Sequence, residues 1–268
     1  MGAAPGPKAV TAATAGATPG PQPITATITA APEPGRWELR PESGETVVAS
    51  VSGADFALYD VDDQVRGSLV AVATGQPEVP YRLEGIWPTD PRSLAMMAAV
   101  NERLRAETLR AGTKAFKAVG ERIPDFALFD HRGNVFESRS LHGRFAVVGF
   151  IFTRCQVPEM CPATTRKMRE LQALAAEAGR EDVDVILISF DPDYDTPGIL
   201  RAYAEAYDFA PGGVRMLTGP EPVVEDLMKH FGVLVFDDEN LIFQHTLNTT
   251  LGGPNRKVIY RVPGSNWS

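Results

Sequence analysis

Cys155 and Cys161 are the only two cysteines of the chain, and both lie in Phe150-Ile151-Phe152-Thr153-Arg154-Cys155-Gln156-Val157-Pro158-Glu159-Met160-Cys161-Pro162. An apolar run precedes them and a helical pattern follows. On a regular helix a six-residue separation spans about 9 Å along the axis, whereas a disulfide needs Cα atoms about 4.4–6.8 Å apart. The segment must therefore turn back on itself, and Pro158 suits such a turn. Pro162 suits the first turn of the helix that follows, which predicts Cys161 as its N-cap. A sulfur there faces the positive end of the helix dipole, and Arg154 adds a positive neighbour to Cys155; both thiols are candidates for the thiolate, the reactive and metal-binding form.

Paired thiolates can exchange disulfides, bind a soft metal, or simply staple the chain. Stapling so short a loop contributes only roughly 2 kcal/mol. Two soft sulfurs suit Cu(I) at low coordination better than structural zinc, which needs four ligands. A third ligand for copper must come from elsewhere. His131 and His142 lie among polar residues of a hairpin and read as surface groups; His230 sits in the last turn of a helix. His245, at the entry to a late strand, is expected on the edge facing the cysteine loop and is the candidate ligand. Met160 could lend a thioether, but it also reads as an ordinary packing residue. The segment Asp191-Pro192-Asp193-Tyr194-Asp195-Thr196-Pro197 follows a buried strand, where α/β proteins place their sites. It reads as an acidic or hydrogen-bonding neighbour of the cysteines, as a partner-docking loop, or as a helix cap built on Asp195 or Thr196.

The elements that must position these groups form an α/β pattern. Phe145 to Phe152 and Val183 to Phe190 are continuous apolar runs of the kind found in buried parallel strands. Residues 162–178, 196–207 and 221–230 are helical, and 214–217 is a short strand. Segments 231–236, 243–251 and 257–262 complete the set as strands. The order is hairpin, βαβ, helix, hairpin, and the βαβ unit requires a right-handed crossover. This predicts a thioredoxin-like sandwich with insertions over residues 120–268. Upstream, residues 1–35 are rich in Ala, Thr, Pro and Gly and are predicted to be a disordered tail. Residues 36–89 predict a small β-rich domain, with strands at 46–51, 56–59, 68–73 and 81–87. Asp90-Pro91 starts a helix that runs through 90–119 and links the two domains.

The chain has 268 residues and carries a net charge of -8. An acidic balance disfavours nucleic acid or an anionic membrane surface as the main partner. No apolar run approaches the ~20 residues of a spanning helix, and no signal-peptide pattern is visible at the start.

These residues together resemble the SCO/SenC family of thioredoxin-like copper proteins. The resemblance covers about Gly120 to Trp267. It rests on Gly-Phe-Ile-Phe-Thr-Arg-Cys (149–155), Met-Cys-Pro (160–162), Ser-Phe-Asp-Pro-Asp-Tyr-Asp-Thr-Pro (189–197), Leu-Thr-Gly (217–219) and Gln-His-Thr (244–246). It implies copper, Cu(I) or Cu(II), held by Cys155, Cys161 and His245, with Asp191 as a neighbour outside the ligand set. It also implies a metallochaperone that delivers copper to, or reduces the cysteines of, the binuclear copper site of cytochrome c oxidase or another cuproprotein. A thiol reductant is a further implied partner, and the implied location is the periplasm or the outer face of the inner membrane. The family usually separates its cysteines by three residues; here there are five. Some relatives with wider spacing carry an N-terminal β module with Met- and His-rich copper motifs, but residues 36–88 contain neither Met nor His, so no second copper site is expected there. The alternative is a thiol–disulfide oxidoreductase with no metal role. A Cys-x-x-Cys motif is absent, and Thr153 is too close to Cys155 for a peroxiredoxin-type peroxidase.

Overall fold

The computed structural model describes residues 20–42, 44–72, 78–209, 212–234 and 248–264, together with the backbone of 235–236 and 244–245. Five strands form the first unit: β1 (Gln22–Glu33), β2 (Arg36–Pro41), β3 (Val47–Ser50), β4 (Gln64–Ala71) and β5 (Tyr81–Pro88). They close into a barrel in the order β1-β2-β3-β5-β4. The β3–β5 contact is parallel, and the short helix α1 (Gly53–Phe56) lies between β3 and β4. This is the Greek-key arrangement of an OB-type barrel. Alternation explains its core: Ala26 and Ile28 from β1 and Trp37 and Leu39 from β2 point inward, as a period of two requires. Gly67 is needed where β4 bends, because a Cβ there would stand 2.8 Å from the Glu84 carbonyl oxygen.

The tail predicted over residues 1–35 is corrected here, since Gln22–Glu33 is a barrel strand. Its small residues look like low complexity, but Ile24, Ala26 and Ile28 alternate with threonines, and β2 and β4 flank the strand on both sides. Residues 1–19 lie outside the described residues. The strand expected at 56–59 is also corrected. Ser52 caps a helical turn there, its hydroxyl accepting from the Asp55 N–H.

Helix α2 (Pro91–Ala111) starts as expected, with Asp90 accepting from the Ser93 N–H at 2.8 Å. It ends at Gly112 (φ +54) rather than running on to residue 119. The second unit is a seven-stranded sheet, ordered β14-β13-β8-β9-β10-β6-β7. Its strands are β6 (Ala127–Asp130), β7 (Val135–Glu137), β8 (Phe145–Ile151), β9 (Val183–Ser189), β10 (Val214–Thr218), β13 (Asn248–Gly252) and β14 (Val258–Pro263). β8, β9 and β10 are parallel neighbours, as the apolar runs predict. Helices α3 (Cys161–Glu177) and α4 (Pro197–Ala206) cover one face through Met168, Leu200 and Ala204 against Val147, Ile151 and Leu187. Helix α5 (Glu221–Phe231) covers the other through Val224, Leu227 and Phe231, joined by Leu104 of α2, against Val148, Phe150 and Ile188. This is the thioredoxin-like sandwich. Gly149 leaves room on the first face for Met168, whose Cε lies 2.9 Å from where a Cβ would stand.

The run predicted as one strand over 231–236 is split: Phe231 ends α5, and only β11 (Val235–Phe236) is extended. β11 pairs with β12 (Gln244–His245) in a separate two-stranded sheet.

Candidate dithiol and metal site

β8 delivers the chain to the site, and the sheet ends one residue before Phe152. The Cys155 N–H donates to the Phe152 carbonyl at 3.3 Å, and the Met160 N–H donates to the Val157 carbonyl at 3.0 Å. These two successive turns fold the five-residue spacer back, so that Cys155 returns over the start of α3. The cap differs from expectation by one position: Met160 is the N-cap, Cys161 is the first helical residue and Pro162 the second. Cys161 is fully buried and Cys155 partly buried, and both are thiols rather than a disulfide.

The two sulfurs hydrogen-bond to each other. That bond is the main reason the Cys155 thiol is pushed down to about 6; backbone groups of Val157 and Cys161 add to it, and partial burial opposes it. The same bond, followed by burial, pushes Cys161 up. The pair thus loses one proton easily and holds the second. Of the two candidates for the thiolate, Cys155 is the one that the mutual bond favours. Arg154 is not the cause: the guanidinium is committed to Asp191, with Nη2 at 2.6 Å and Nε at 3.0 Å from Oδ2. It also stacks over Tyr194 at 4.4 Å. Asp191 therefore holds the outer wall of the cysteine loop through Arg154.

Sequence reasoning passed over Asp195 as a helix cap. The capping is done by Thr196, whose hydroxyl accepts from the Ile199 N–H. Asp195 is instead fully buried beneath the loop. It accepts from the Thr153 N–H at 3.1 Å, the Thr153 hydroxyl, and the Ser189 hydroxyl at 2.5 Å. Burial nonetheless raises its pKa. Nothing in the spacing distinguishes it from Asp191 or Asp193.

The histidines sort differently from their sequence reading. His131 is not a surface residue: it is buried, with Nδ1 accepting from the Met216 N–H at 3.2 Å. His142 is exposed. His230 is buried, with Nε2 2.9 Å from the Thr108 hydroxyl, and burial lowers its pKa. His245 lies in β12 opposite Val235, and its side chain lies outside the described residues. Among the described residues no three His, Cys, Asp or Glu side chains converge as a metal site. The donor set on hand is the two mutually bonded thiols, which fits a soft monovalent ion.

The SCO1/SenC family profile matches residues 115–267. An SCO2-like protein of Rickettsia typhi is 32% identical over 140 residues, covering 50% of this chain and 66% of the relative. The SCO1 protein homolog of Bacillus subtilis is 30% identical over 143 residues, covering 51% and 71%. Arabidopsis thaliana ScoI, solved with copper bound, shares 25% identity with a TM-score of 0.48, covering 56% of this chain and 90% of that one. This chain spans just under two thirds of the length of the Rickettsia relative, and the family profile leaves the barrel uncovered. Over the thioredoxin-like half, with the cysteine loop between β8 and α3, the chain belongs to the SCO1/SenC family.

Proposed function

We propose that this protein binds Cu(I) through Cys155, Cys161 and His245 and serves as a copper-handling assembly factor for the binuclear copper site of cytochrome c oxidase or a related cuproprotein. One observation carries the reading: a hydrogen-bonded thiol pair at a helix N-terminus, in which the mutual bond pushes Cys155 down to about 6. Copper is the cargo. Cys155 meets the ion as a thiolate, and Cys161 gives up its proton as the ion replaces the S–H···S bond. His245 is assigned as the third ligand from the family's pattern. The fully buried Cys161 and the apolar Phe152 beside it keep one side of the pair dry, which favours a soft, weakly hydrated ion. An extracytoplasmic location accompanies this role. Among the described residues no helix is long and apolar enough to cross a membrane.

The test is a Cu(I) titration of the reduced protein against a competing chelator, beside His245→Ala. One tight equivalent, weakened by the substitution, is expected. Undiminished affinity in His245→Ala would remove that residue from the site.

The unequal thiols favour a second reading, a thiol–disulfide reductase. The Cys155 thiolate would attack a partner disulfide, forming a mixed disulfide and expelling one partner thiolate. Cys161, after losing its proton, would then attack Cys155 and release the second. Two electrons pass to the partner, and this protein ends as the Cys155–Cys161 disulfide. Normal thiol titration without competitive copper binding would put this reading first.

A further inference from the structure

We infer that Asp195 is a positioning residue for the dithiol loop, acting through the Phe152–Thr153 peptide. The inference deepens the thiol reading above and rests on it. The Phe152 carbonyl and the Thr153 N–H belong to one planar peptide unit, so fixing the N–H fixes the carbonyl. Asp195 grips that unit by the Thr153 N–H at 3.1 Å and by the Thr153 hydroxyl. On the other side of the same peptide, the Phe152 carbonyl accepts the Cys155 N–H at 3.3 Å. The Phe152 N–H, in the preceding peptide and one Cα away, donates to the Cys161 sulfur. One buried carboxylate therefore orients the peptide that holds Cys155, next to the peptide that meets Cys161.

Asp195 is itself held. Ser189, the last residue of β9, donates its hydroxyl to Oδ2 at 2.5 Å, and the Asp195 N–H donates to the Asp191 carbonyl at 2.8 Å. The next two residues, Thr196 and Pro197, start α4. The carboxylate thus pins the loop after β8 to the loop after β9, at the rim of the parallel sheet. Three donors converge on it, and all three need acceptor oxygens. Asn would turn one of those oxygens into a donor facing other donors, so Asp195→Asn breaks the grip with little change of shape.

The experiment follows the equilibrium in which the reduced pair and oxidised glutathione give the Cys155–Cys161 disulfide and two reduced glutathiones. It compares the wild-type chain with Asp195→Asn and Thr153→Val, each checked for folding by circular dichroism. Positioning predicts that Asp195→Asn moves the equilibrium about tenfold toward the disulfide, ~30 mV for this two-electron couple, because the reduced pair loses the geometry in which its thiols bond each other. Amide exchange at Cys155 should quicken in parallel. A shift toward the dithiol would mean that Asp195 acts only as a charge repelling thiolate, and it would overturn the inference. So would an equilibrium within twofold of wild type in a folded Asp195→Asn. If that variant does not fold, Thr153→Val, which loses only the hydroxyl bond, is expected to shift the same way by about threefold, and no shift in it counts against the role. If the wild-type pair forms no disulfide at all, the redox reading falls; Cys155 amide exchange then decides the positioning role, with unchanged protection in Asp195→Asn counting against it.

Discussion

The barrel and the thioredoxin-like unit spend buried polarity in opposite ways. The barrel core consists of Ile28, Trp37, Leu39, Ala49, Leu83 and Ile86 with their neighbours, and Asp55 is its only buried charged residue among those described. The second unit buries Asp130, His131, Asp195, Asp226, His230 and Arg256 as well as Cys161. Each of these sits where a chain segment must be held in one orientation. Arg256, for instance, ties Asp125 at 2.7 Å and the Pro124 carbonyl at 3.1 Å into one corner. Burying polar groups costs stability unless each is satisfied, so their concentration marks where geometry matters more than packing. The barrel packs, and the other unit positions.

Asp55 lies at the joint between the two. An ideal Cβ at Gly198 would fall 1.9 Å from Asp55 Oδ1, so the carboxyl rests directly on the first turn of α4. Oδ2 accepts from the Ser52 hydroxyl at 2.6 Å, while Oδ1 is buried without a partner. Burial raises the Asp55 pKa. A shared apolar cluster of Trp87, Met97, Val100, Ala127 and Phe129 joins barrel, α2 and sheet beside it, and Arg201 of α4 donates to the Ala57 carbonyl at 3.4 Å.

That joint makes the two regions one cooperative unit despite their different interiors. The largest effect should come from Trp37→Ala, which empties the centre of the barrel and costs about 3–5 kcal/mol. A single melting transition at lower temperature is expected by calorimetry; two separate transitions would show that the barrel stands alone. Gly198→Ala should follow, at ~1–3 kcal/mol from overpacking against Asp55. In a double-mutant cycle Asp55→Ala should recover most of that loss; additivity would place Asp55 elsewhere.

The chemical side of the contrast is sharpened by alkylation of Cys155. Its rate should rise with pH and level off above about 6, well below the ordinary thiol range near ~8.5. Cys161→Ala removes the hydrogen bond behind that shift, so reactivity at pH 6 should fall, by roughly a hundredfold if the ordinary value returns. An unchanged profile would mean that another group stabilises the thiolate.

The smallest effect concerns α2 against α5. Thr108 donates its hydroxyl to the Leu104 carbonyl at 2.9 Å, and His230 Nε2 lies 2.9 Å from the same hydroxyl. Burial lowers the His230 pKa, and Lys117 adds to this against Glu107 and Asp226. A folded pKa below the unfolded one means that the unfolded chain takes up the proton first as pH falls. Stability is then complete above about 6.5 and is lost below it. The expected fall in Tm is about a few degrees, and His230→Gln should flatten it. A wild-type Tm independent of pH between 7 and 5 would contradict the assignment.

Much of the second unit was legible because its signals are local. The apolar runs at 145–152 and 183–190 can only be buried strands, and Asp90-Pro91 and Pro162 mark helix starts through backbone chemistry close at hand. The two cysteines announced the site through rarity and spacing. The barrel was legible only in part. Strand β1 hides in an Ala/Thr/Pro-rich segment, because its pattern has meaning only beside β2 and β4, which no local window contains. The division of labour among Asp191, Asp193 and Asp195 was invisible for the same reason: three acids in one loop share a composition, and only the packing of β8 against β9 makes one a buried peg and another an outer partner of Arg154. Which residues could do chemistry, and which segments could be strand or helix, followed from residue type and short-range spacing. Which sulfur carries the charge and which carboxylate holds the loop required tertiary structure, because burial and hydrogen-bond partners belong to segments far apart in the chain.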